Sequence, residues 1–164
     1  MTIIIKNKET LLFDDFKFKC SIGKKGFNKE KKEGDETTPK GLFKLGNLYY
    51  RADRLTKPNT KLKVKKIKKS IGWCDDLTKP RFYNKLIVSK NKIKQEKLYR
   101  KDHKYDLFIL IKYNYPKPKI PLGSCIFLHL TTDYKPTAGC IALKKNDFLV
   151  LVKIIKPNSK ILIS

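Results

Sequence analysis

Two residues could do covalent chemistry together. His129 ends an apolar stretch, Ile126-Phe127-Leu128-His129, and Cys140 follows it in Thr137-Ala138-Gly139-Cys140-Ile141-Ala142-Leu143. A thiol attacks a carbonyl only as the thiolate, so a nucleophilic Cys needs a base within hydrogen-bond reach. The Gly before it lets the backbone turn tightly, which allows amide N–H groups to point at a developing oxyanion. Strand alternation puts Cys125, Phe127 and His129 on one face and Ile126 and Leu128 on the other. Spacing alone fits a buried imidazole and an inert thiol as well as it fits a catalytic pair.

The other candidates are less specific. Cys20, Cys74 and Cys125 complete the Cys set. No pair has the CxxC spacing of a zinc ribbon, and four Cys are too sparse for a disulfide framework. Cys20 and Cys125 read as buried small hydrophobes. Cys74 shares a segment with Trp73, Asp75 and Asp76, where it could line a cleft. His103 sits in the charged stretch Lys101-Asp102-His103-Lys104-Tyr105, which reads as surface, with a cleft position as the alternative.

The elements that must hold these residues are mostly short strands. Thr2–Ile5, Thr10–Phe13 and Lys17–Ile22 are apolar runs separated by polar turns, and Gly41–Tyr50 is a strand with aromatic faces. The polar, Gly-containing stretch Lys24–Lys40 reads as a loop. Lys61–Lys68 alternates, with Leu62, Val64 and Lys66 on one face. Thr78–Asn84 is irregular, and Gln95–Lys101 reads as a short helix. Asp106–Tyr113 is a continuous apolar run of the kind a strand buried on both faces shows. Tyr115–Pro121 holds three prolines and cannot be regular. Ser124–Leu130 is a further strand. Asn146–Ile155 has helical spacing in Phe148, Leu149, Leu151, Val152 and Ile155, with Asn146 as its cap. Lys160–Ile163 closes as a strand. No linker or repeat divides the chain, so the expectation is one domain over 1–164, mainly β, a sandwich or barrel.

Composition bounds the partners. The chain carries 39 Lys and Arg against 15 Asp and Glu, a formal charge of +24. Such a surplus first reads as nucleic-acid binding through phosphates. Yet only Arg51, Arg54, Arg81 and Arg100 are Arg, the residue that reads phosphates and guanines bidentately. Abundant Lys, Ile and Asn fit a composition biased by an A- and T-rich genome, with attraction to a non-nucleic anionic polymer as the second reading and nucleic acid as the third. No window approaches 18 uninterrupted apolar residues, so no membrane-spanning helix is expected. The start, Met1–Lys8, does not show the pattern of a secretory signal.

At this point the residues resemble a known family. His129 followed by Thr137-Ala138-Gly139-Cys140 resembles the hallmark of the L,D-transpeptidase (YkuD-like) catalytic domain: a strand-borne His, a variable loop, then Ser/Thr-x-Gly-Cys. The upstream Gly34-Asp35-Glu36-Thr37-Thr38-Pro39-Lys40-Gly41-Leu42-Phe43 is similar to that family's second signature, Gly-Asp-x-x-Thr-Pro-x-Gly-x-Phe. Two motifs in the right order are far more specific than either alone. Gly72-Trp73-Cys74-Asp75-Asp76 and the pairs Tyr83-Asn84 and Tyr105-Asp106 look like a divergent branch often seen in Gram-negative bacteria. Two positions depart from the best-known members. Ala138 stands where His or Arg is common, and Ala142 where Arg is common.

The resemblance implies a β-sandwich of short strands with one or two short helices. It implies acyl transfer on peptidoglycan stem peptides, in the periplasm or cell envelope, with no metal or organic cofactor. Cys140 would form a thioester, resolved by an amine to make a crosslink or by water to give carboxypeptidase activity. His129 would carry the proton, its ring oriented by a backbone carbonyl near Thr137. The amides of Gly139 and Cys140 would form the oxyanion hole. Thr137, Trp73, Asp75, Asp76, Tyr83 and Asn84 are the candidate substrate-binding residues, with a solvated turn as the alternative for Asp75, Asp76, Tyr83 and Asn84. The alternative is a non-catalytic basic module that keeps the fold and holds anionic wall polymer or nucleic acid.

Overall fold

In a computed structural model describing residues 1–88 and 92–164, alternating apolar residues become strands with one buried edge. In β1 (Thr2–Asn7), Ile3 and Ile5 are fully buried while Ile4 faces out. β2 (Thr10–Phe13) buries Leu11 and Phe13 in the same way, and a tight turn through Asp14, at φ 49°, leads into β3 (Phe16–Lys19). Two-residue strands β4 (Phe27–Asn28) and β5 (Thr38–Pro39) pair in parallel, within the stretch expected to be loop alone. Then come β6 (Gly41–Tyr50), β7 (Val64–Lys66), β8 (Ile71–Cys74), β9 (Leu86–Val88) and β10 (Gln95–Lys97). The last part holds β11 (Leu107–Ile111), β12 (Phe127–Leu130), β13 (Ile141–Leu143), α1 (Lys145–Ile154) and β14 (Lys160–Ile163).

One sheet runs in the order β13-β12-β11-β6-β14-β1-β2-β3, with β7 also paired to β6. β6 is long enough to serve both halves. Its first residues pair with β14 and its last with β11, so the sheet bends along it. The two ends of the sheet then meet. Just beyond β3, Ser21 and Ala142 exchange backbone hydrogen bonds of 3.0 and 2.9 Å. This is the mainly β, barrel-like sandwich the pattern predicts.

The bent sheet encloses a core of Ile, Leu and Phe, onto which α1 packs Phe148, Leu151 and Val152. A second, aromatic cluster lies on the other face of β11 and β12: Tyr49, Trp73, Tyr105, Phe108 and Phe127, with Cys140 among them. That is why all five residues of β11 are buried. A separate sheet, β10-β8-β9, supplies Trp73 to this cluster.

Two further expectations are corrected. Gln95–Lys101 is not a helix. Its first residues form β10, paired antiparallel to β8 with Gln95 beside Cys74. A seven-residue stretch cannot sustain a helix against a waiting strand partner. β8 and β9 themselves carry no clear alternation and were not foreseen. Asn146 does not cap the helix. Lys144 occupies that position in extended backbone, with no capping side chain, and Asp147 in the first turn complements the helix dipole.

The charge is spread over the surface. Lys31 is the only buried lysine among the described residues. Three of the four arginines are engaged internally. Arg51 grips Asp53 with two bonds of 2.8 and 2.7 Å and stacks on Tyr99, Arg54 binds Asp106, and Arg100 binds Asp102. Duplex DNA at about 0.15 M salt is therefore expected to bind no more tightly than a dissociation constant of roughly 10⁻⁶ M, in the range of non-specific contacts. A fluorescence-anisotropy titration checks this. Sequence-preferring binding near 10⁻⁸ M would show a built nucleic-acid groove.

Candidate active site

β12 and β13 run parallel, with Leu128 beside Ile141 and His129 beside Ala142. Cys140 stands one residue before β13 and comes level with Phe127, whose N–H points at the Cys140 sulfur from 3.4 Å. Paired residues share a face and alternate residues return to it. Phe127, His129, Cys140 and Ala142 therefore project from one side, away from the aliphatic core. Residues far apart in sequence thus become side-by-side groups on adjacent strands.

The imidazole is fixed by one hydrogen bond. His129 Nδ1 lies 2.8 Å from the Leu130 carbonyl oxygen. A carbonyl can only accept, so Nδ1 carries the proton and Nε2 keeps its lone pair. Nε2 is buried and has no hydrogen-bond partner. The Tyr105 ring packs against the imidazole in a T-shaped contact, with ring centroids 5.5 Å apart. The orienting carbonyl is thus that of Leu130 and not one near Thr137, because the ring folds back on its own strand.

The thiol is held neutral. Cys140 is 7% exposed, and its sulfur donates to the Cys125 carbonyl oxygen at 3.0 Å. Cys125 takes a positive φ of 56°, outside the strand, next to the thiol it holds. Burial raises the Cys140 pKa, against the pull of Lys104 and the Phe127 N–H. Burial and the charge of Lys104 push His129 down to about 3. Burial thus works against both the thiolate and the imidazolium at this pair. A buried site disfavours both charges.

This has a consequence for stability. The unfolded chain protonates His129 near its ordinary value of 6.5, whereas the folded chain resists protonation until about 3. The contribution is present above pH 6.5 and is lost as the pH falls toward 3. Asp35, pulled down to about 2, acts only below its ordinary value of 3.8. Between pH 6.5 and 4, His129→Gln is expected to flatten the loss of stability seen in the parent. Urea midpoints at several pH values check it; parallel curves for the two proteins would refute it.

The turn before Cys140 is clamped from behind. Gly139 has φ 144°, and a Cβ there would sit 2.7 Å from the Thr37 carbonyl oxygen. Thr38 Oγ1 accepts from the Gly23 N–H and donates to the Gly139 carbonyl at 2.9 Å. Thr137 Oγ1 donates to the Cys140 carbonyl and accepts from the Gly139 N–H. That Gly139 amide is thus engaged in the resting site. The upstream Gly34–Phe43 segment holds the Gly139–Cys140 turn in place. Residues 1–163 match the model of the YkuD family, L,D-transpeptidase catalytic domain. The chain belongs to that family.

Comparison with curated proteins gives no match. Among solved structures, Bdellovibrio bacteriovorus Bd1075 is similar, at 17% identity and a TM-score of 0.48. The alignment covers 99% of this chain and 47% of that one, so the chain spans about half its length.

His129 opens onto a cleft whose lining does not include Cys140. This cleft of about 740 Å³ lies beside His129, with Lys104, Thr137, Ala138, Ala142 and Lys145 in its walls. Ala138 and Ala142 both line it. His103 is on its rim, largely exposed, with Nδ1 2.9 Å from Asp106. None of Trp73, Asp75, Asp76, Tyr83 and Asn84 lines this cleft.

Those five residues lie on the other side of Cys140. Asn84, 2% exposed, accepts from Trp73 Nε1 at 2.9 Å and from the Cys125 N–H at 3.2 Å. It donates to the carbonyls of Tyr113 and Asn114. Tyr83 donates to Glu33 at 2.5 Å and accepts from the Gly123 N–H at 3.0 Å. Ser124 donates to the same Glu33 oxygen. Asp76 closes a turn onto Thr78. Asp75 is half-buried, with one oxygen lacking a partner, and burial raises its pKa. Sequence reasoning missed Glu33, Ser124 and Lys31. Their types are common in polar loops, and their partners lie far along the chain.

Proposed function

We propose that this chain is a cysteine acyltransferase of the cell envelope that acts on peptidoglycan stem peptides, with Cys140 as nucleophile and His129 as base. The observation that carries the reading is the unpartnered, buried Nε2 of His129 on the strand beside Cys140, its Nδ1–H fixed by Leu130. The thiol proton passes to Nε2 as sulfur attacks the carbonyl carbon of the L,D peptide bond. The tetrahedral intermediate collapses, the proton passes from His129 to the departing D-Ala amine, and a thioester remains on Cys140. An amine of a second stem, or water, then attacks the thioester, loses its proton to His129, and returns the thiol. Because burial works against charge on both groups, charge develops as the substrate carbonyl takes it up, and the Gly139 amide must leave Thr137 Oγ1 to join in stabilising it.

Trp73, Tyr83 and Asn84, whose polar atoms are already paired, shape the back of the site, and substrate approaches through the His129 cleft. Ala138 and Ala142 leave the acceptor to be held by groups other than those of the better-known members.

The test is incubation of purified protein with tetrapeptide-containing muropeptides, followed by mass analysis. D-Ala release with a crosslinked dimer shows amine resolution; release with only tripeptide shows water. No release by the parent, or equal release by Cys140→Ala, would overturn the proposal. The burial of Cys140 favours one competing reading, a basic module holding anionic wall polymer with its thiol idle. Polymer binding without product would support that one.

A further inference from the structure

Lys31 is 3% exposed although it lies in the lysine-rich run Lys29-Glu30-Lys31-Lys32. Its ammonium bonds Asp35 Oδ1 at 2.7 Å and lies 3.5 Å from the Lys32 carbonyl. Asp35 is itself fixed, accepting from the Lys32 N–H and from the N–H and hydroxyl of Thr37. The lysine stem passes between two glycines. A Cβ on Gly123 would lie 3.0 Å from Lys31 Cε, and one on Gly139 would lie 3.3 Å from Lys31 Nζ. Gly123 and Gly139 have φ of 105° and 144°, conformations that side chains rarely adopt. The ammonium therefore reaches the backbone of the turn that presents Cys140, in a channel that any side chain at either glycine would close.

Burying a lysine this completely is costly, and a carboxylate anchor alone could be built at the surface with less desolvation. From this placement we propose that Lys31 is a positioning residue for the acyl-transfer site: its buried charge, held by Asp35, fixes the Gly139–Cys140 turn and favours negative charge on Cys140 as the thiol ionises. The proposal rests on Cys140 being the nucleophile. Other groups that face Cys140 are Glu96 from β10, Lys104 and Tyr105 from the segment between β10 and β11, Cys125 from the loop before β12, and His129 from β12. Lys104 is half-buried on the cleft side, so Lys31 supplies the cation from behind.

The test reads the thiol directly, independent of any substrate. Alkylation of Cys140 by iodoacetamide is followed against pH by intact mass and peptide mapping. Removing a nearby cation shifts a thiol by roughly one unit, so Lys31→Met is expected to slow alkylation at pH 7.5 about tenfold and to move the profile upward. Lys31→Arg should restore most of the parent rate. Asp35→Asn leaves the ammonium unopposed and should move the profile the opposite way, downward. A merely structural lysine predicts that both variants shift the same way or not at all, and either result overturns the proposal. Fluorescence of Trp73, the chain's single Trp, reports whether each variant is folded. If Lys31→Met does not fold, the direction of the Asp35→Asn shift alone decides. Failure of muropeptide turnover with these opposite shifts intact would remove the enzymatic reading and leave the charge coupling standing.

Discussion

Cys140→Ala is expected to abolish covalent acylation of the protein by a carbapenem, and His129→Ala to slow it by about 10²–10⁴-fold, the range of a general-base contribution. Carbapenems resemble the acyl donor of L,D-transpeptidases, so one adduct is expected on the intact protein, and peptide mapping should place it on Cys140. Resting acidity does not select this thiol. Burial pushes Cys20 up to about 12 and raises Cys74, Cys125 and Cys140 as well. What distinguishes Cys140 is His129 on the neighbouring strand, with a free lone pair and no competing partner. The His129 substitution should therefore act on acylation far more than on alkylation by a small neutral reagent. An adduct on Cys74, or a His129→Ala rate equal to the parent's, would show that nucleophile and base have been wrongly assigned.

A second large effect is expected at Asn84. Asn84→Ala should cost about 4 kcal/mol of stability, since each buried polar group left unpaired costs about 1–3 kcal/mol. Four such groups lose their partner: Trp73 Nε1, the Cys125 N–H and the carbonyls of Tyr113 and Asn114. Asn84 also sits at φ 51°, which Ala tolerates poorly. Asn84→Gly removes the same bonds without that strain, so the difference between the two variants measures it. Urea unfolding gives both numbers. The folded fraction of either variant should also acylate slowly, because Asn84 holds Cys125, whose carbonyl receives the Cys140 thiol. A substrate-binding Asn84 predicts the reverse: unchanged stability and a raised KM. A loss under about 1 kcal/mol would favour that role.

The contrast between these two sites shows what the chain discloses on its own. His129 and Cys140 are legible because their chemistry is bound to a short motif and to strand parity. β11 is legible because its apolar residues are buried on both faces. Gln95–Lys97 is not, since its strand character comes from β8, and β8 is equally obscure without it. Asn84 is recognisable as part of a Tyr-Asn pair, but its four partners come from three other segments, so the sequence cannot distinguish a bracket from a ligand. Lys31 is hidden by abundance. In a chain this rich in lysine only the fold marks one of them as enclosed, although its spacing to Asp35 is a faint signal.

The bond between Ser21 and Ala142 has a kinetic meaning. It joins the first part of the chain to nearly the last, and the strand carrying Cys140 is completed on that side only when the two meet. Contacts between distant segments form late, after the entropy of closing the intervening chain has been overcome. His129 and Cys140 can be neighbours on and beside the parallel pair β12 and β13 before this, but the Gly139 carbonyl gains its bond from Thr38 only once the first part of the chain has docked. A chain still being synthesised or partly folded thus holds His129 and Cys140 without the Thr38 bond that seats the turn between them.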